Sequence, residues 1–378
     1  MSFHDLELPN YLVKALEVQG IKSPYPIQQK AIPSVLEAKD LLGIAKTGSG
    51  KTLSYVLPIF SLLDGRTVTK NRHINALVLV PTRELAIQVE GEFKRYGSSL
   101  PFAFKSMVAH GGVSINPQMK AMSKVNVLVA TPGRLLELAE LNAVHFDSLS
   151  LLVLDEADKM LNLGFKAEMD RIFALLPKKR QNLLFSATLS PDVQSIERLV
   201  LKNPVLVQIE EESDGIEKIK QTAYLVDEDK KGVLLRSLIR QKEMSQVLVF
   251  TSSVHRADLV SKKLNGNGIE AAAVHSKKSQ GHRTESLRRF KDGFVKVLVT
   301  TDLLSRGIDI TELPYVINYE LPRSPKDFIH RIGRTGRAEK NGEAITFVCP
   351  DEEQHFRVIE KKMKRFVDRI DASNLEMI

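Results

Sequence analysis

Residues 151–160 read LLVLDEADKM, and this stretch decides the fold class. An uninterrupted apolar run leads directly into the carboxylates Asp155, Glu156 and Asp158. Such a run is typical of a strand that is buried on both faces of a parallel sheet. Carboxylates clustered at the end of a buried strand repel one another unless a cation or basic groups lie opposite. The stretch therefore predicts a parallel strand with a charged site at its carboxyl end, in a chain whose formal net charge is +8.

Apolar runs of the same kind recur along the chain, and most are separated by stretches long enough for a helix. Strands that alternate with helices predict an α/β fold, in which mostly parallel sheets carry helices on both faces. The runs are ALVLVPT (76–82), NVLVATP (126–132), NLLFSAT (182–188), VLVFTSS (247–253), VKVLVTTD (295–302), YVINYELP (315–322) and AITFVC (344–349).

The acidic segment IEEESDGIEKIK (209–220) interrupts this pattern because it contains no apolar strand. It predicts an N-terminal domain over 1–208, a linker over 209–220 and a C-terminal domain over 221–378. The two halves look like two copies of one architecture. Near the end of the chain, FRVIEKKMKRFVDRI (356–370) has apolar residues at helical spacing and a basic face. We expect a packed terminal helix there, and an RNA-binding arm is the alternative.

The composition limits the class of protein. A chain of 378 residues suits two domains of ordinary size. Cys349 is the single cysteine, so a disulfide framework and a cysteine zinc site are both excluded. The sequence shows no signal-peptide pattern and no apolar run long enough to span a bilayer. We therefore expect a cytoplasmic protein without a membrane segment and, by default, a monomer; the positive charge is compatible with a nucleic-acid partner.

The stretch LLGIAKTGSGKT (41–52) has the features of a phosphate-binding loop between a strand and a helix. Glycines let backbone N–H groups turn toward phosphate oxygens, and the N-terminus of the following helix adds partial positive charge. Ala45 stands where the pattern has its first glycine, whereas Lys51 can reach the outer phosphates and the Thr52 hydroxyl can hold Mg²⁺. The predicted nucleotide-binding residues of this loop are Ala45, Lys46, Thr47, Gly48, Ser49, Gly50, Lys51 and Thr52.

The carboxylates at the end of the strand 151–154 complete this site. Mg²⁺ is a hard cation that takes oxygen ligands and keeps several waters. We predict that Asp155 and Thr52 hold Mg²⁺ and that Glu156 orients or deprotonates the attacking water. Asp158 is not needed for either task, and we assign it to contacts with neighbouring loops.

The phosphate loop and the sequence Asp155-Glu156-Ala157-Asp158 together resemble those of the DEAD-box ATP-dependent RNA helicases. The resemblance extends from Phe3 to about Phe347, and its motifs occur in the family's order. It implies two tandem RecA-like domains, ATP and Mg²⁺ as cofactors and RNA as the partner. The compact core and short basic tail are similar to the bacterial RhlE-like branch, which acts on ribosomal or messenger RNA.

The resemblance also implies further nucleotide contacts. In the motif PYPIQQ, the amide of Gln28 would read the adenine edge, and Phe3 would stack on the base. In the motif TTDLLSRGID, Gly307 and Asp309 would join the nucleotide site. Residues 303–305 of that motif differ from the small residues that the family more often has there. Whether this segment makes the family's RNA contacts is therefore left open.

The motif HRIGRTGR (330–337) spaces His330, Arg334 and Arg337 four and three residues apart, so a helical turn would place them on one face. The resemblance implies that this face closes over ATP. Arg337 would be the arginine finger and Arg334 a second contact with the γ-phosphate. The residues that would couple the nucleotide state to domain closure are Asp158, Ser186, Ala187, Thr188 and His330.

Candidate RNA contacts of the first domain follow or lie near strand ends, and those of the second domain lie at positions similar to the family's motifs. Small residues, hydroxyls and arginines suit a sugar-phosphate backbone better than they suit base edges. Contacts with the 2′-hydroxyl would distinguish RNA from DNA. The predicted RNA-binding residues are Pro81, Thr82, Arg83, Gly111, Gly112, Thr131, Pro132, Gly133, Arg134, Thr251, His275, Gln280, Arg283 and Thr301.

These observations predict an ATP-dependent RNA helicase that binds RNA without sequence specificity and locally unwinds short duplexes. Ribosome assembly or RNA turnover is the cellular role that the resemblance implies. Two alternatives stay open at this point: an ATP-gated RNA clamp with little unwinding, and a helicase that acts on DNA.

Overall fold

The chain folds into two compact units, Met1–Glu210 and Glu211–Ile378. Each unit has its own sheet and its own apolar cores, as expected of an independent domain. The computed structural model describes residues 1–46, 48–64, 71–209, 219–302, 313–336 and 342–374.

Within the described residues, the first unit contains a seven-stranded sheet in the order β3-β4-β2-β5-β6-β1-β7, and the neighbouring strands are parallel. Its strands are β1 (Leu41–Ile44), β2 (Ala76–Leu79), β3 (Ser106–Ala109), β4 (Val127–Ala130), β5 (Leu151–Leu154), β6 (Gln181–Ser186) and β7 (Val205–Gln208).

Helices cover both faces of this sheet. Its helices are α1 (Asn10–Val18), α2 (Pro26–Leu36), α3 (Lys51–Leu63), α4 (Arg83–Gly97), α5 (Ile115–Ala121), α6 (Pro132–Glu140), α7 (Ala157–Asn162), α8 (Lys166–Leu175) and α9 (Pro191–Val200), and a 3-10 helix spans Phe3–Leu6. Alternate residues of β2 point to opposite faces. Ala76 and Val78 pack in one core with α1 to α4, whereas Leu77 and Leu79 pack in another with α6 to α9. Burial on both faces explains why the strands are continuously apolar.

The second unit contains, among its described residues, a seven-stranded parallel sheet in the order β10-β11-β9-β12-β13-β8-β14. Its strands are β8 (Lys220–Leu225), β9 (Val247–Phe250), β10 (Ala271–Val274), β11 (Val297–Thr300), β12 (Tyr315–Asn318), β13 (Glu343–Val348) and β14 (Asp368–Asp371). Its helices are α10 (Lys231–Gln241), α11 (Val254–Asn265), α12 (Gln280–Lys291), α13 (Pro325–Ile332) and α14 (Glu353–Met363), with 3-10 helices at Pro350–Glu352 and Ala372–Asn374.

The two sheets have the same strand order. Strand β8 takes the place of β1, β9 that of β2, and so on to β14, which takes the place of β7. This correspondence confirms the predicted α/β class and the expectation that the halves share one architecture. Among the described residues, none of the helices combines the length and apolar character that crossing a bilayer requires.

The predicted terminal helix is only partly correct. Helix α14 ends at Met363, and Lys364 then adopts a left-handed conformation with φ of 55°. Residues Asp368–Asp371 form β14, which pairs with the edge of β8. An ion pair of 2.8 Å between Arg369 and the buried Glu360 ties this strand back to the helix. Pairing an exposed sheet edge outweighs the helical spacing of the sequence here.

Candidate functional site

The sheet order of the first unit brings the phosphate loop and the carboxylates to one edge. Strand β6 lies between β1 and β5, so the carboxyl ends of these parallel strands are adjacent. The phosphate loop follows β1, and Asp155 follows β5. The N–H of Ala45 donates to the carbonyl of Ser186 over 3.0 Å, which extends the pairing of β1 with β6 into the loop. In open α/β sheets, ligands bind at such carboxyl ends.

The phosphate loop turns on two glycines in the left-handed region. Gly48 has φ of 82° and Gly50 has φ of 87°. A Cβ added to Gly50 would lie 2.6 Å from Nε2 of Gln28 and 2.8 Å from a ring carbon of Tyr25, so position 50 has no room for a side chain. Helix α3 begins at the next residue, Lys51, whose Nζ donates to the carbonyl of Ala45 over 2.7 Å.

The remaining residues of the loop lie beside this turn. The hydroxyl of Ser49 donates to the carbonyl of Lys46 over 2.8 Å, and Thr52 occupies the first turn of α3. Thr47 lies outside the described residues. Because Lys51 is only 6% exposed, its ammonium group is held against the loop rather than in solvent. The arrangement combines a buried cation, backbone N–H groups and a helix N-terminus, which suits a phosphate chain.

Gln28 connects α2 to the phosphate loop. Its Oε1 accepts from the N–H of Tyr25 over 2.9 Å, and its Nε2 donates to the carbonyl of Gly50 over 3.0 Å. These bonds leave one N–H and one lone pair of the amide for a ligand. Phe3 is 3% exposed and belongs to the apolar core, so its stacking on a base stays a prediction.

Tyr25 is a neighbour of the loop that the sequence interpretation missed. Its ring lies against Gly50 while 54% of the residue remains exposed. An exposed aromatic side chain beside a polar cleft is a common feature of binding surfaces. The signal that could have identified it is its position inside the quoted motif PYPIQQ.

The carboxylates of Asp155 and Glu156 are buried, and each contacts a different side chain. Oδ2 of Asp155 accepts a hydrogen bond of 2.8 Å from the hydroxyl of Tyr55, and Oε1 of Glu156 lies 2.6 Å from Nζ of Lys159. Glu156 caps α7 in the left-handed region, with φ of 54°. Burial raises the pKa of the Glu156 carboxyl, and Asp155 raises it further, while Lys159 and Lys51 lower it.

Three carboxylate oxygens at this strand end are buried without a hydrogen-bond partner in the part of the chain that the structure describes. They are Oδ1 of Asp155, Oε2 of Glu156 and Oδ1 of Asp158. Buried oxygens without a donor fit a cation that prefers oxygen ligands. The described residues contain no group of three or more His, Cys, Asp or Glu placed to hold a metal by themselves. That combination suits Mg²⁺, which is usually bound through one or two carboxylates together with phosphate oxygens.

The predicted coupling residues of the first unit lie together. Oγ1 of Thr188 donates to Oδ2 of Asp158 over 3.2 Å, and the hydroxyl of Ser186 donates to the carbonyl of Thr188 over 2.8 Å. Ala187 lies between them in the turn after β6. The turn therefore links the carboxylate strand end to the strand beside the phosphate loop, although the coupling role itself stays a prediction.

The RNA candidates of the first unit lie at the other half of the same edge. Strands β3, β4 and β2 are neighbours, and the candidates follow their carboxyl ends. Gly111 and Gly112 follow β3, residues 131–134 follow β4, and residues 81–83 follow β2. Thr82 caps α4, where its hydroxyl accepts from the N–H of Leu85 over 3.3 Å.

Two arginines organise this half of the edge. The guanidinium of Arg83 lies over the glycine pair, because a Cβ added to Gly112 would be 1.9 Å from its Nη1. Arg134 is buried and donates to Glu137 over 2.8 Å and to the carbonyl of Val113 over 2.9 Å. Gly133 borders open space, since an added Cβ there would meet nothing within 4 Å. This half of the edge therefore combines the Arg83 guanidinium with open space at Gly133.

The RNA candidates of the second unit follow the corresponding strands. Thr251 follows β9, His275 follows β10 and Thr301 follows β11, and these strands are neighbours in the order β10-β11-β9. Nε2 of His275 lies 3.1 Å from Oδ1 of Asp258. At the start of α12, Arg283 donates to the side chain of Gln280. The predicted set therefore occupies topologically equivalent positions in both units.

The predicted helical turn through the second-unit arginines is wrong. Helix α13 ends at Ile332, and Gly333 follows as its cap. Arg334 therefore lies beyond the helix that contains His330, although it is buried. Gly336 adopts φ of 68°, which a helix does not allow. Arg337, Gly307 and Asp309 lie outside the described residues.

Arg331 is a structural residue that the sequence interpretation passed over. Its guanidinium pairs with both carboxylate oxygens of Asp302, at 2.5 and 2.7 Å, and donates to the carbonyl of Glu320 over 2.7 Å. It also lies 4.9 Å above the ring of Phe250. These contacts attach α13 to the carboxyl ends of the neighbouring strands. Its position inside the motif HRIGRTGR is the signal that could have identified it.

Comparisons with known proteins agree with this geometry. The family described as "DEAD/DEAH box helicase" matches residues 25–196, and the family described as "Helicase conserved C-terminal domain" matches residues 230–339. The "DEAD-box ATP-dependent RNA helicase CshA" of Geobacillus kaustophilus is 37% identical over 99% of this chain and 79% of its own length.

The chain belongs to the DEAD-box ATP-dependent RNA helicases.

The protein of the same name from Bacillus subtilis is 36% identical to this helicase, over 100% of this chain and 75% of its own length. These relatives carry the name CshA, so the comparisons support the family and not specifically the RhlE-like branch that the sequence suggested.

Solved structures agree with the fold. Dbp5 from S. cerevisiae bound to RNA and ADP BeF3 matches with a TM-score of 0.84 and 28% identity, over 98% of this helicase and 95% of that chain. A DEAD box protein from Methanococcus jannaschii matches with a TM-score of 0.55 and 34% identity, over 98% of this chain and 99% of that one. The predicted tandem RecA-like architecture is therefore confirmed.

Proposed function

We propose that this helicase binds the sugar-phosphate backbone of RNA without sequence specificity and separates short duplexes locally. The observation that supports this most directly is the repeated placement of the candidate contacts. They follow β3, β4 and β2 in the first unit and the equivalent strands β10, β11 and β9 in the second. Two equivalent surfaces suit a ligand that presents a repeating chemical unit, and a nucleic-acid backbone is such a ligand.

The chemistry of these surfaces favours the backbone over the bases. Arg83, the glycines beneath it and the N-terminus of α6 after Thr131 offer charge and N–H groups to phosphates. Threonine hydroxyls can contact the ribose, and the 2′-hydroxyl distinguishes RNA from DNA. Phosphate contacts position a nucleic acid but carry no sequence information. Binding should therefore depend on strand length and salt more than on sequence.

The nucleotide is held in the first unit. The free amide capacity of Gln28 suits adenine, and Lys51 with the loop N–H groups suits the phosphates. Asp155 and Thr52 would hold Mg²⁺, which neutralises phosphate charge when bound. Glu156 is the base that orients or deprotonates the attacking water. Its Oε2, which has no hydrogen-bond partner among the described residues, is available for this task while Oε1 keeps its contact with Lys159.

The second unit would complete the site when the two domains close. Arg334 and Arg337 would stabilise charge on the transferred phosphoryl group, an effect worth about 10³- to 10⁵-fold in rate. Gly307 and Asp309 would add nucleotide contacts, and His330 would transmit closure. Closure would also complete a groove for one bent strand, so that a short duplex cannot remain paired. Hydrolysis and phosphate release would reopen the domains.

A role in ribosome assembly or RNA turnover, in the cytoplasm, is the cellular function we assign. Non-specific backbone contacts suit an enzyme that acts on many structured RNAs. Crosslinking in cells followed by RNA sequencing tests the assignment. Enrichment of ribosomal or messenger RNA would support it, and enrichment of neither class would reject it.

Strand displacement tests the unwinding activity. A 10-base-pair RNA duplex with one labelled strand is incubated with the helicase and either ATP, a non-hydrolysable analogue or no nucleotide. The assay is then repeated with a second duplex of unrelated sequence. The proposal expects ATP-dependent release from both duplexes at rates within about threefold of each other, since phosphate contacts carry no sequence information. ATP hydrolysis with RNA retention but no displacement would instead identify an ATP-gated clamp.

A further inference from the structure

The hydroxyl of Tyr55 contacts the predicted metal ligand Asp155. Tyr55 lies in the second turn of α3, is fully buried and donates to Oδ2 of Asp155 over 2.8 Å. Asp155 is itself 2% exposed. The contact joins residues that are 100 positions apart in the chain, so it connects the helix after the phosphate loop to the carboxylate strand. It uses one carboxylate oxygen and leaves Oδ1 without a partner among the described residues.

The tyrosine ring is held from the side of the sheet. The rings of Tyr55 and Phe185 pack with their centroids 5.4 Å apart. Phe185 occupies space that a side chain on Gly43 would fill, because a Cβ there would lie 2.6 Å from the phenylalanine ring. Glycine in the middle of β1 therefore permits the ring packing. A hydroxyl on a ring that is fixed in this way has little freedom to leave the carboxylate.

Thr52, the other predicted metal ligand, precedes Tyr55 by three residues in α3, so the two residues lie on the same side of the helix. A donor to one carboxylate oxygen orients the carboxylate and leaves the other oxygen for a cation.

A buried tyrosine that only fills space provides the contrast. Tyr96 lies in the same unit and is also fully buried, yet its hydroxyl has no hydrogen-bond partner in the described part of the chain. The hydroxyl of Tyr55 differs because it meets a carboxylate at the site edge. We propose that Tyr55 is a positioning residue, whose hydroxyl orients Asp155 and keeps its Oδ1 available to the magnesium of the bound nucleotide. This inference rests on the assignment of Asp155 to Mg²⁺ in the proposed function.

Nucleotide binding at different magnesium concentrations tests the inference without relying on hydrolysis. The affinity of the full chain for fluorescent ADP is measured from excess EDTA to millimolar Mg²⁺, for the wild type, Tyr55→Phe, Tyr96→Phe and Asp155→Asn. For Tyr55→Phe, the half-saturating Mg²⁺ concentration should rise about 10-fold or more, the size expected when the partner of a metal ligand is removed. Affinity in EDTA should not change. Tyr96→Phe should match the wild type in both conditions.

The outcomes separate this inference from the proposed function. If the half-saturating Mg²⁺ concentration rises in Asp155→Asn but not in Tyr55→Phe, the positioning role of Tyr55 is overturned and the magnesium assignment stays intact. If the half-saturating Mg²⁺ concentration is unchanged in both variants, the magnesium assignment is overturned. An equal loss of affinity in EDTA and in Mg²⁺ for Tyr55→Phe would show a merely structural role. If Tyr55→Phe does not fold, Phe185→Leu keeps the hydroxyl but frees the ring; a normal Mg²⁺ dependence in that variant would reject the proposal.

Discussion

Replacing Glu156 by glutamine removes the charge of the proposed base and keeps its shape. The amide can still accept from Lys159, which lies 2.6 Å from the carboxylate in the native protein, so the backbone of the strand end should not move. General base catalysis contributes about 10²- to 10⁴-fold, which at about 1.36 kcal/mol per tenfold corresponds to about 2.7 to 5.4 kcal/mol of the barrier. We expect single-turnover ATP hydrolysis to slow by that factor, with little change in ATP affinity.

The assay compares Glu156→Gln with Glu140→Gln in the presence of saturating RNA. Glu140 is an exposed carboxylate of the same unit that pairs with Arg171 at 2.5 Å, so its substitution controls for a general loss of charge. We also expect Glu156→Gln to retain RNA longer in the presence of ATP, because hydrolysis releases the closed state. Hydrolysis within threefold of the wild type would show that another residue positions the water.

The same variant has a pH-dependent effect on stability, whose sign follows from the raised pKa of Glu156. The folded state binds this proton more tightly than the unfolded state does. At a pH above the pKa of Glu156 in the folded state, its charged carboxylate therefore destabilises the fold. At a pH below the pKa of Glu156 in the unfolded state, the carboxyl is protonated in both states and this destabilisation is absent. The melting temperature of Glu156→Gln relative to the wild type should rise as the pH increases above about 4.5, the usual pKa of a glutamate carboxyl. A constant or falling difference would contradict the burial argument.

Three further substitutions test other parts of the account. Lys51→Ala should weaken ATP binding by about 10- to 100-fold, the range expected for a lost charged hydrogen bond, and abolish turnover; normal turnover would refute the phosphate loop. Gly112→Ala should displace Arg83 and weaken RNA binding by about 10-fold, while ATP binding is unchanged. Gly164→Ala is the control, because Gly164 has a similar φ but open space around it, and this substitution should not affect RNA affinity. Arg331→Met should destabilise the second unit by about 3–5 kcal/mol in chemical denaturation, because it breaks an ion pair whose arginine is fully buried and removes the hydrogen bond to the Glu320 carbonyl; a change under 1 kcal/mol would mean that the pair is dispensable.

The strands that the sequence predicted all lie inside the two sheets, although the internal strand β8 was not predicted. Runs such as LLVL at 151–154 are continuously apolar because both faces are buried. Strand β3 (SMVA) and strand β10 (AAAV) lie at sheet edges, where fewer large apolar residues are needed, and they were not identified. Strand β14 was predicted as helix because its residues continue a helical spacing, and only the tertiary edge of β8 makes it a strand.

The motifs predicted which backbone segments form the site, but they did not predict how the side chains are partnered. The phosphate-loop motif and the carboxylates at a second strand end of the same domain indicated that Lys51 and Asp155 belong to one site. The contact of Asp155 with Tyr55 depends on packing between segments 100 residues apart, and no local pattern carries that information. The pairing of Glu156 with Lys159 follows from helical spacing at the start of α7, and that signal was overlooked.

Steady-state ATP hydrolysis without nucleic acid, with single-stranded RNA and with DNA of matching sequence tests the central claim most directly. We expect low hydrolysis without nucleic acid and strong stimulation by RNA alone, because the phosphate and hydroxyl contacts of both units would complete the site only on an RNA backbone. Equal stimulation by DNA would remove the claim that the 2′-hydroxyl is recognised. No stimulation by either nucleic acid would contradict the coupling of RNA binding to ATP hydrolysis.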